Sequence, residues 1–489
     1  MNPASHPILT CDETREFEAS FFAGDETKEW AAMQRAGRAV AAGVLQDFQE
    51  IGGFPIDARV LVLAGKGHNA GDALIAAQAL VAQFPGASAE VLFAFGERPL
   101  RPLARRAWME LAHFGRDRVS IGRGEGVRYD LCLDGLFGFQ FRPPADEATS
   151  ALIKRINARP IGLRAAVDLP SADLFHADFT YATGIVKKPV LDSECAGRVR
   201  YLDLGFFDAA AAGKCRVLTP ALLAPLAALR PARSDKRTYG HVGIVGGSRG
   251  YPGAVLMAAL AALRSGAGLV TAFVPESLAA AYAARAPEVM WVGWPETPNG
   301  GLALEGQHLL KARIDRLTAL VLGPGLGRES ETLALVRDVV ATSPIPLVLD
   351  ADALQPDIVT LGEAPHVLTP HEGEFKRISG GAELAAFAKQ VKGAVVRKGP
   401  ITQISSGEDV YRCLAGGPVL ARGGSGDLLA GLIGGLLAAT PDEPLLAACR
   451  GTLWHGLAAD ALARAHGQTA VATTQVLDFL PTALRECRL

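Results

Sequence analysis

Gly423-Gly424-Ser425-Gly426-Asp427 runs straight into an apolar stretch, LLAGLIGGLLAA (428–439). Glycines let successive backbone N–H groups turn to one side, and a helix start adds its dipole. Together they form an anion site, typically for phosphate. A carboxylate is a poor phosphate ligand because like charges repel, but it is a good base for a hydroxyl about to meet that phosphate. The plainer reading is a helix cap with glycines for close packing. VVRKG (395–399) puts Lys398 at a strand end with Thr402 soon after, a pair suited to nucleotide phosphates or simply a solvated edge. TPHEGEF (369–375) sets His371 and two glutamates after a strand, otherwise a polar helix start. GPGLG (323–327) lets backbone approach a ligand closely, or only turns the chain. GGSRGYPG lacks the lysine of G-x-x-x-x-G-K-[ST], so this is not a P-loop NTPase.

The first half carries another glycine loop, GKGHNAGD (65–72), which contains G-x-G-x-x-A between a strand and a helix. That is the dinucleotide fingerprint. Asp72, however, sits where a pyrophosphate would meet the helix start, and no acid ends the next strand. A small polar site fits better. Asn69, Asp134 and Ser171 are expected in loops after strands, and their oxygens are hard ligands suited to an alkali or alkaline-earth cation. Asp168, ending AAVD, is the candidate acid–base group. The ordinary alternative for each aspartate is a cap on the following helix.

Positioning these residues requires strands alternating with helices. An amphipathic helix is expected over 13–49, then strands RVLVLAG, EVLFAFG, YDLCLDGLFG and RAAVDLPS. Short β-branched and leucine runs of this kind indicate a buried parallel sheet, whose ligand crevice lies beyond the carboxyl ends of the strands. A looser, proline-containing stretch near 210–235 marks a domain boundary. A second α/β series follows, with a hairpin expected at Ser406-Gly407. The chain has 489 residues, 49 Lys+Arg against 51 Asp+Glu, and 49% hydrophobic residues. The charge balance offers no footprint for nucleic acid and no basic surface for membranes. The seven cysteines make no C-x-x-C pair, which argues against zinc or disulfides and fits a reducing cytoplasm. The N-terminus lacks a secretory pattern, and the longest apolar run is too short to span a bilayer.

The ordered set YGHVGIVGGS, GAVLMAALAALRSGAGLVT, GPGLG, VLDADAL, LTPHEGEF, RKG and GGSGDLLAGLIGGLLA resembles the ADP-dependent NAD(P)H-hydrate dehydratases of the ribokinase-like superfamily, over roughly 235–489. The resemblance implies removal of water from hydrated NAD(P)H at the expense of ADP, giving AMP and phosphate, with Mg2+ accompanying ADP. It implies hydrate contacts from Ala254, Gly325, His371 and Asp427, and nucleotide contacts from Lys398, Gly399, Pro400, Ile401, Thr402 and Gly426. Pro400 and Ile401 depart from the more polar residues usual there.

MQRAGRAVAAGVL, GKGHNAGDALIAA, CLDGLFGFQF and AVDLPS look like the NAD(P)H-hydrate epimerase domain, over roughly 8–208. That domain interconverts the two epimers at the hydrated ring carbon. The likeness implies a hydrate site of His68, Asn69, Ala70, Gly71, Asp72, Gly138, Phe139, Gln140, Phe141, Arg142, Pro143, Pro144 and Asp168, with potassium on Asn69, Asp134 and Ser171. His68, Ala70, Ala73 and Ala172 depart from the family pattern.

The implied architecture is an α/β chain of two domains. A Rossmann-like three-layer α/β sandwich occupies 1–215 and a ribokinase-like α/β domain 226–489. A homo-oligomer acting on small molecules in the cytoplasm is expected. Two alternatives stand beside this: a ribokinase-like kinase using ATP, and a dehydratase whose first half only binds or oligomerises.

Overall fold

The computed structural model describes residues 2–126, 128–208 and 213–487. The chain divides into two compact units. One holds His6–Gly213 and Ala463–Gly467; the other holds the residues up to Ser5, Lys214–Leu462 and those from Gln468 onward.

In the first unit the sheet order is Val119–Ile121, Ser88–Phe93, Arg59–Ala64, Tyr129–Gly135, Ile161–Val167, Phe179–Thr183, Arg198–Leu202. Every neighbouring pair is parallel. The central strand shows why its sequence is continuously apolar. Val60 and Val62 pack with Trp30, Leu74 and Trp108, whereas Leu61 and Leu63 pack with Tyr129, Ile153 and Ile156 on the other face. Helices cover both faces, which makes the unit three-layered.

The single helix expected over 13–49 is two, Cys11–Phe22 and Glu26–Phe48. Ala23 turns left-handed at φ 49°, and the Asp25 side chain accepts hydrogen bonds from the N–H groups of Thr27 and Lys28. Gly24-Asp25 is thus a stop and an N-cap lying inside an apolar periodicity that runs on across it. The cation candidates are not all in loops. Asn69 lies in the first turn of His68–Gln83, Asp134 within strand Tyr129–Gly135, and Ser171 opens a 3-10 turn. The helix starts at His68, inside the glycine loop, three residues before the GDALIAA run that marks it in the sequence.

The second unit's strands run in the order Met290–Trp294, Leu269–Pro275, His241–Val245, Ala319–Leu322, Leu347–Leu349, His366–Leu368, Ala394–Arg397, Thr402–Ser405, Val410–Cys413, Cys215–Leu218. Pairing is parallel as far as Ala394–Arg397; the next two pairs are antiparallel. The hairpin expected at Ser406-Gly407 is present, with Gly407 at φ 114°. Helices Pro252–Arg264 and Ser425–Ala439 lie side by side in the same direction. A Cβ on Gly431 would strike the Ala258 carbonyl and one on Gly435 the Ser265 hydroxyl, so glycine alone permits this approach. Among the described residues no helix is long and apolar enough to cross a membrane.

Candidate active sites

In the second unit five parallel strands end along one edge, each delivering a polar or glycine-rich segment: 246–248, 323–327, Asp350, 369–371 and Lys398. Gly325 takes φ 66°; its carbonyl accepts a 2.8 Å hydrogen bond from the Ser248 hydroxyl, and an added Cβ would lie 2.5 Å from the Tyr251 carbonyl and 3.0 Å from the Ala254 Cβ. Ala254 and Gly325 therefore abut, at the start of helix Pro252–Arg264. Gly424, left-handed at φ 89°, opens helix Ser425–Ala439, which places Asp427 in its first turn and not at its cap. Two helix starts thus point their N–H groups toward the same edge, a setting for an anion.

Lys398 Nζ lies 2.9 Å from Asp350 Oδ1, which also accepts a 2.7 Å bond from the Thr369 hydroxyl. A Cβ on Gly426 would come within 3.0 Å of that ammonium, so the lysine tip reaches the glycine turn because no side chain is there. Asp427 itself is pushed up to about 7, chiefly by burial, then by the Asp350 charge; Lys398 lowers it and Asp352 raises it. A carboxyl titrating near neutrality, beside an ammonium and helix N–H groups, is poised as a general base. His371 caps helix Glu372–Ser379: its Nδ1 accepts from Gly373 N–H at 3.1 Å and Glu374 N–H at 3.3 Å, which assigns the proton to Nε2. The ring is 63% exposed and pairs by a backbone bridge with Lys398, so cap and lysine stand together. Gly399 and Pro400 form an exposed turn, and the Thr402 hydroxyl bonds the Gly399 carbonyl at 3.4 Å.

The first unit has a cavity of about 220 Å3 lined by His68, Asn69, Gly138, Phe139, Gln140 and Phe141. A second, of about 250 Å3, shares His68 and Gln140 and adds Asp72, Glu18 and Glu29. Ala70 and Gly71 are buried, their helix face turned into the core, and Arg142, Pro143 and Pro144 are exposed; none of these lines either cavity. The methyls of Ala70 and Ala73 are fully buried and meet core residues, so they take nothing from the cavity. Ala172 stands at φ 56°, a conformation glycine adopts without strain.

The cation candidates do converge. Asp134, fully buried, accepts from the Ser171 hydroxyl at 2.7 Å, the Ser171 N–H at 2.8 Å and the Leu136 N–H at 3.2 Å. The Asn69 amide bonds the Phe137 and Val167 carbonyls at 3.1 and 2.8 Å. Burial pushes Asp134 up to about 6 despite those three bonds. A buried carboxylate among oxygens, with no ion pair to a cationic side chain among the described residues, is a chemistry that a bound alkali cation would complete.

Asp168 is 3% exposed, left-handed at φ 71°, and ion-paired with the buried Lys187, whose ammonium also lies 5.6 Å from the Phe139 ring centre. Burial raises Asp168, and Lys187 holds it down. Sequence reasoning passed over Lys187, Glu18 and Asp350. Lys187 ends the strand Val186–Lys187 and Asp350 follows directly on Leu347–Leu349, and a lysine or aspartate closing an apolar run was the available signal. Glu18 offered none, being one of several acids on a polar helix face.

The second unit, a mainly parallel α/β sheet with a glycine-opened helix that carries a carboxylate in its first turn, has the ribokinase-like fold. A ribokinase-like superfamily protein from Enterococcus faecalis superposes with TM-score 0.50 at 28% identity, covering 57% of this chain and 99% of that one. The NAD(P)H-hydrate dehydratase family model matches residues 242–482, and the model for the YjeF-related protein N-terminus matches 30–187. Proteins described as bifunctional NAD(P)H-hydrate repair enzymes align along nearly the whole chain. The one from Gloeobacter violaceus is 36% identical over 97% of each chain, and the one from Moorella thermoacetica 34% identical over 93% of this chain and 92% of its own. The chain belongs to the bifunctional NAD(P)H-hydrate repair enzyme family.

Proposed function

We infer that this chain repairs hydrated NAD(P)H in two reactions: epimerisation of the hydrate, and ADP-dependent dehydration of its S form to NAD(P)H, AMP and phosphate. We assign residues 1–215 to the first reaction and 226–489 to the second. The observation that carries the dehydratase reading is Asp427, titrating near 7 in the first turn of a glycine-opened helix beside Lys398. Asp427 takes the proton of the hydrate's hydroxyl, whose oxygen then attacks the terminal phosphorus of ADP, and AMP leaves. The 423–427 amides receive the charge that develops on the transferred group. Phosphate departs from the ring carbon, pushed by the ring nitrogen's lone pair, and loss of a proton from the adjacent carbon restores the double bond. Ala254, Gly325 and His371 hold the hydrate. Lys398 and the turn through Gly399, Pro400, Ile401 and Thr402, with Gly426, hold ADP, which enters with Mg2+.

In the first unit the hydrate occupies the two cavities that share His68 and Gln140, with Asn69 and Gly138–Phe141 on the wall of one and Asp72 on the wall of the other, and Asp168 is the acid–base group. Potassium fits the oxygen set of Asn69, Asp134 and Ser171, where it would offset the buried carboxylate and fix the loops that carry Phe137 and Ser171. A cytoplasmic homo-oligomer without nucleic acid or membrane partners accords with free thiols and balanced charge.

The test is hydrated NADH with ADP or with ATP, following recovery of the reduced-nicotinamide absorbance and the phosphorylated species. Recovery with ADP and release of phosphate are expected. A phosphorylated product that persists with no recovery would make the protein a small-molecule kinase instead.

A further inference from the structure

The cavity that adjoins His68 and Asp72 holds a carboxylate that neither reaction step above employs. Glu18 projects from helix Cys11–Phe22 into it, half-exposed, and the Glu18 carboxylate has no hydrogen bond or ion pair among the described residues. Around it stand Arg15 of its own helix, Glu29 of the next, His68 and Asp72 of helix His68–Gln83, and the buried Asp168–Lys187 pair. Phe139, on the wall of the neighbouring cavity that shares His68 and Gln140 with this one, bonds Asp168 through its N–H, and its ring lies under the Lys187 ammonium.

Epimerising a carbon that bears both hydroxyl and ring nitrogen requires the hydroxyl to leave and water to return to the other side. Leaving needs a proton donor and returning needs a proton acceptor, and microscopic reversibility exchanges the two when the other epimer enters. One acid–base group cannot sit on both sides of a ring.

We propose that Glu18 is a second catalytic acid–base residue of the epimerisation, serving one epimer as donor while Asp168 serves as acceptor, with the roles reversed for the other. With the first epimer, the Glu18 carboxyl gives its proton to the hydroxyl and the C–O bond breaks. Water departs as the ring-nitrogen lone pair forms a C=N bond. Solvent water then adds from the opposite side, its electrons closing the new C–O bond, the C=N pair returning to nitrogen, and its proton passing to Asp168. Exchange with solvent resets both groups. Burial raises Glu18 to about 7, with Lys187 opposing and Asp168 and Glu29 adding to the rise, so about half of it carries a proton at neutral pH. Burial raises Asp168 too, and the ion pair with Lys187 opposes that rise.

This rests on the epimerase reading, and the full-length protein separates the two. R-hydrate is supplied without ADP and its conversion followed chirally, for wild type, Glu18→Gln and Glu18→Asp, across pH 6–9 (roughly one unit below to two above the Glu18 midpoint). Hydrate affinity is read by tryptophan quenching. Expected are a loss of about 100-fold or more in Glu18→Gln at near-normal affinity, partial activity in Glu18→Asp, and loss in Glu18→Gln of the limb that wild type shows near neutrality. Wild type no faster than the uncatalysed reaction overturns the epimerase reading. An active wild type with Glu18→Gln within threefold of it, or with rate and affinity lost together in both variants, overturns the role of Glu18 alone.

Discussion

At pH 6 a carboxyl titrating at about 7 is ionised in about a tenth of molecules, and at pH 8 in about nine-tenths. If Asp427 is the base for dehydration, kcat/KM for the S-hydrate at saturating ADP rises about tenfold between those values. An aspartate in water would be flat over the same range, having titrated near 4. The causes of the raised value predict how to move it. Burial is the first and Asp350 the second, so Asp350→Asn removes a like charge and also leaves Lys398 less compensated. Both changes favour ionised Asp427, and the limb shifts downward by a pKa unit or so, on the order of 1.4 kcal/mol. At pH 6 the variant then falls off less than wild type. Asp427→Asn should lose the limb altogether, with about 100- to 10,000-fold of rate, while still binding ADP. The assay is recovery of reduced-nicotinamide absorbance under pseudo-first-order hydrate. A flat wild-type profile from pH 6 to 8 (about a unit either side of the midpoint), an unmoved limb in Asp350→Asn, or turnover within tenfold in Asp427→Asn would each refute the base assignment.

Lys187→Met strands the buried Asp168 charge; thermal or urea unfolding should show about 3–5 kcal/mol lost, and adding Asp168→Asn should restore part of it. Gly431→Val drives a side chain against the Ala258 backbone and should cost about 1–3 kcal/mol, read by the unfolding midpoint, with a raised KM for hydrate. Replacing potassium by tetramethylammonium should slow epimerisation and leave dehydration of the S form unchanged, and Asn69→Ala should no longer respond to potassium.

The parallel sheets and the residues at their strand ends were legible because the strands are mostly apolar and Asp168, Asp350 and Lys398 follow directly on the runs AAV, LVL and AVVR. Periodicity could not divide the helix over 13–49, since the apolar spacing continues through Gly24-Asp25 and only capping interrupts it. Pairings between distant segments were the illegible part. Lys187 meets Asp168 from a two-residue strand that does not pair with the strand before Asp168, and Glu18 reaches the cavity from a helix more than a hundred residues away from Asp168, neither of which leaves a local mark. His371 caps helix Glu372–Ser379, the polar helix start that TPHEGEF allowed, and its backbone bridge to Lys398 is a further pairing between distant segments.

The glycine seam between helices Pro252–Arg264 and Ser425–Ala439 acts as a gauge. Ala254 heads one helix and Gly426-Asp427 the other, and the seam lies one to two turns below both. Because backbone meets backbone at Gly431, no rotamer can take up slack there, and the gap between Ala254, the proposed seat of the hydrate, and Asp427, its proposed base, is set by main-chain geometry. Widening that gap by a methyl group would change which ring fits between them, so selectivity for the substrate's thickness is written into residues that never touch it.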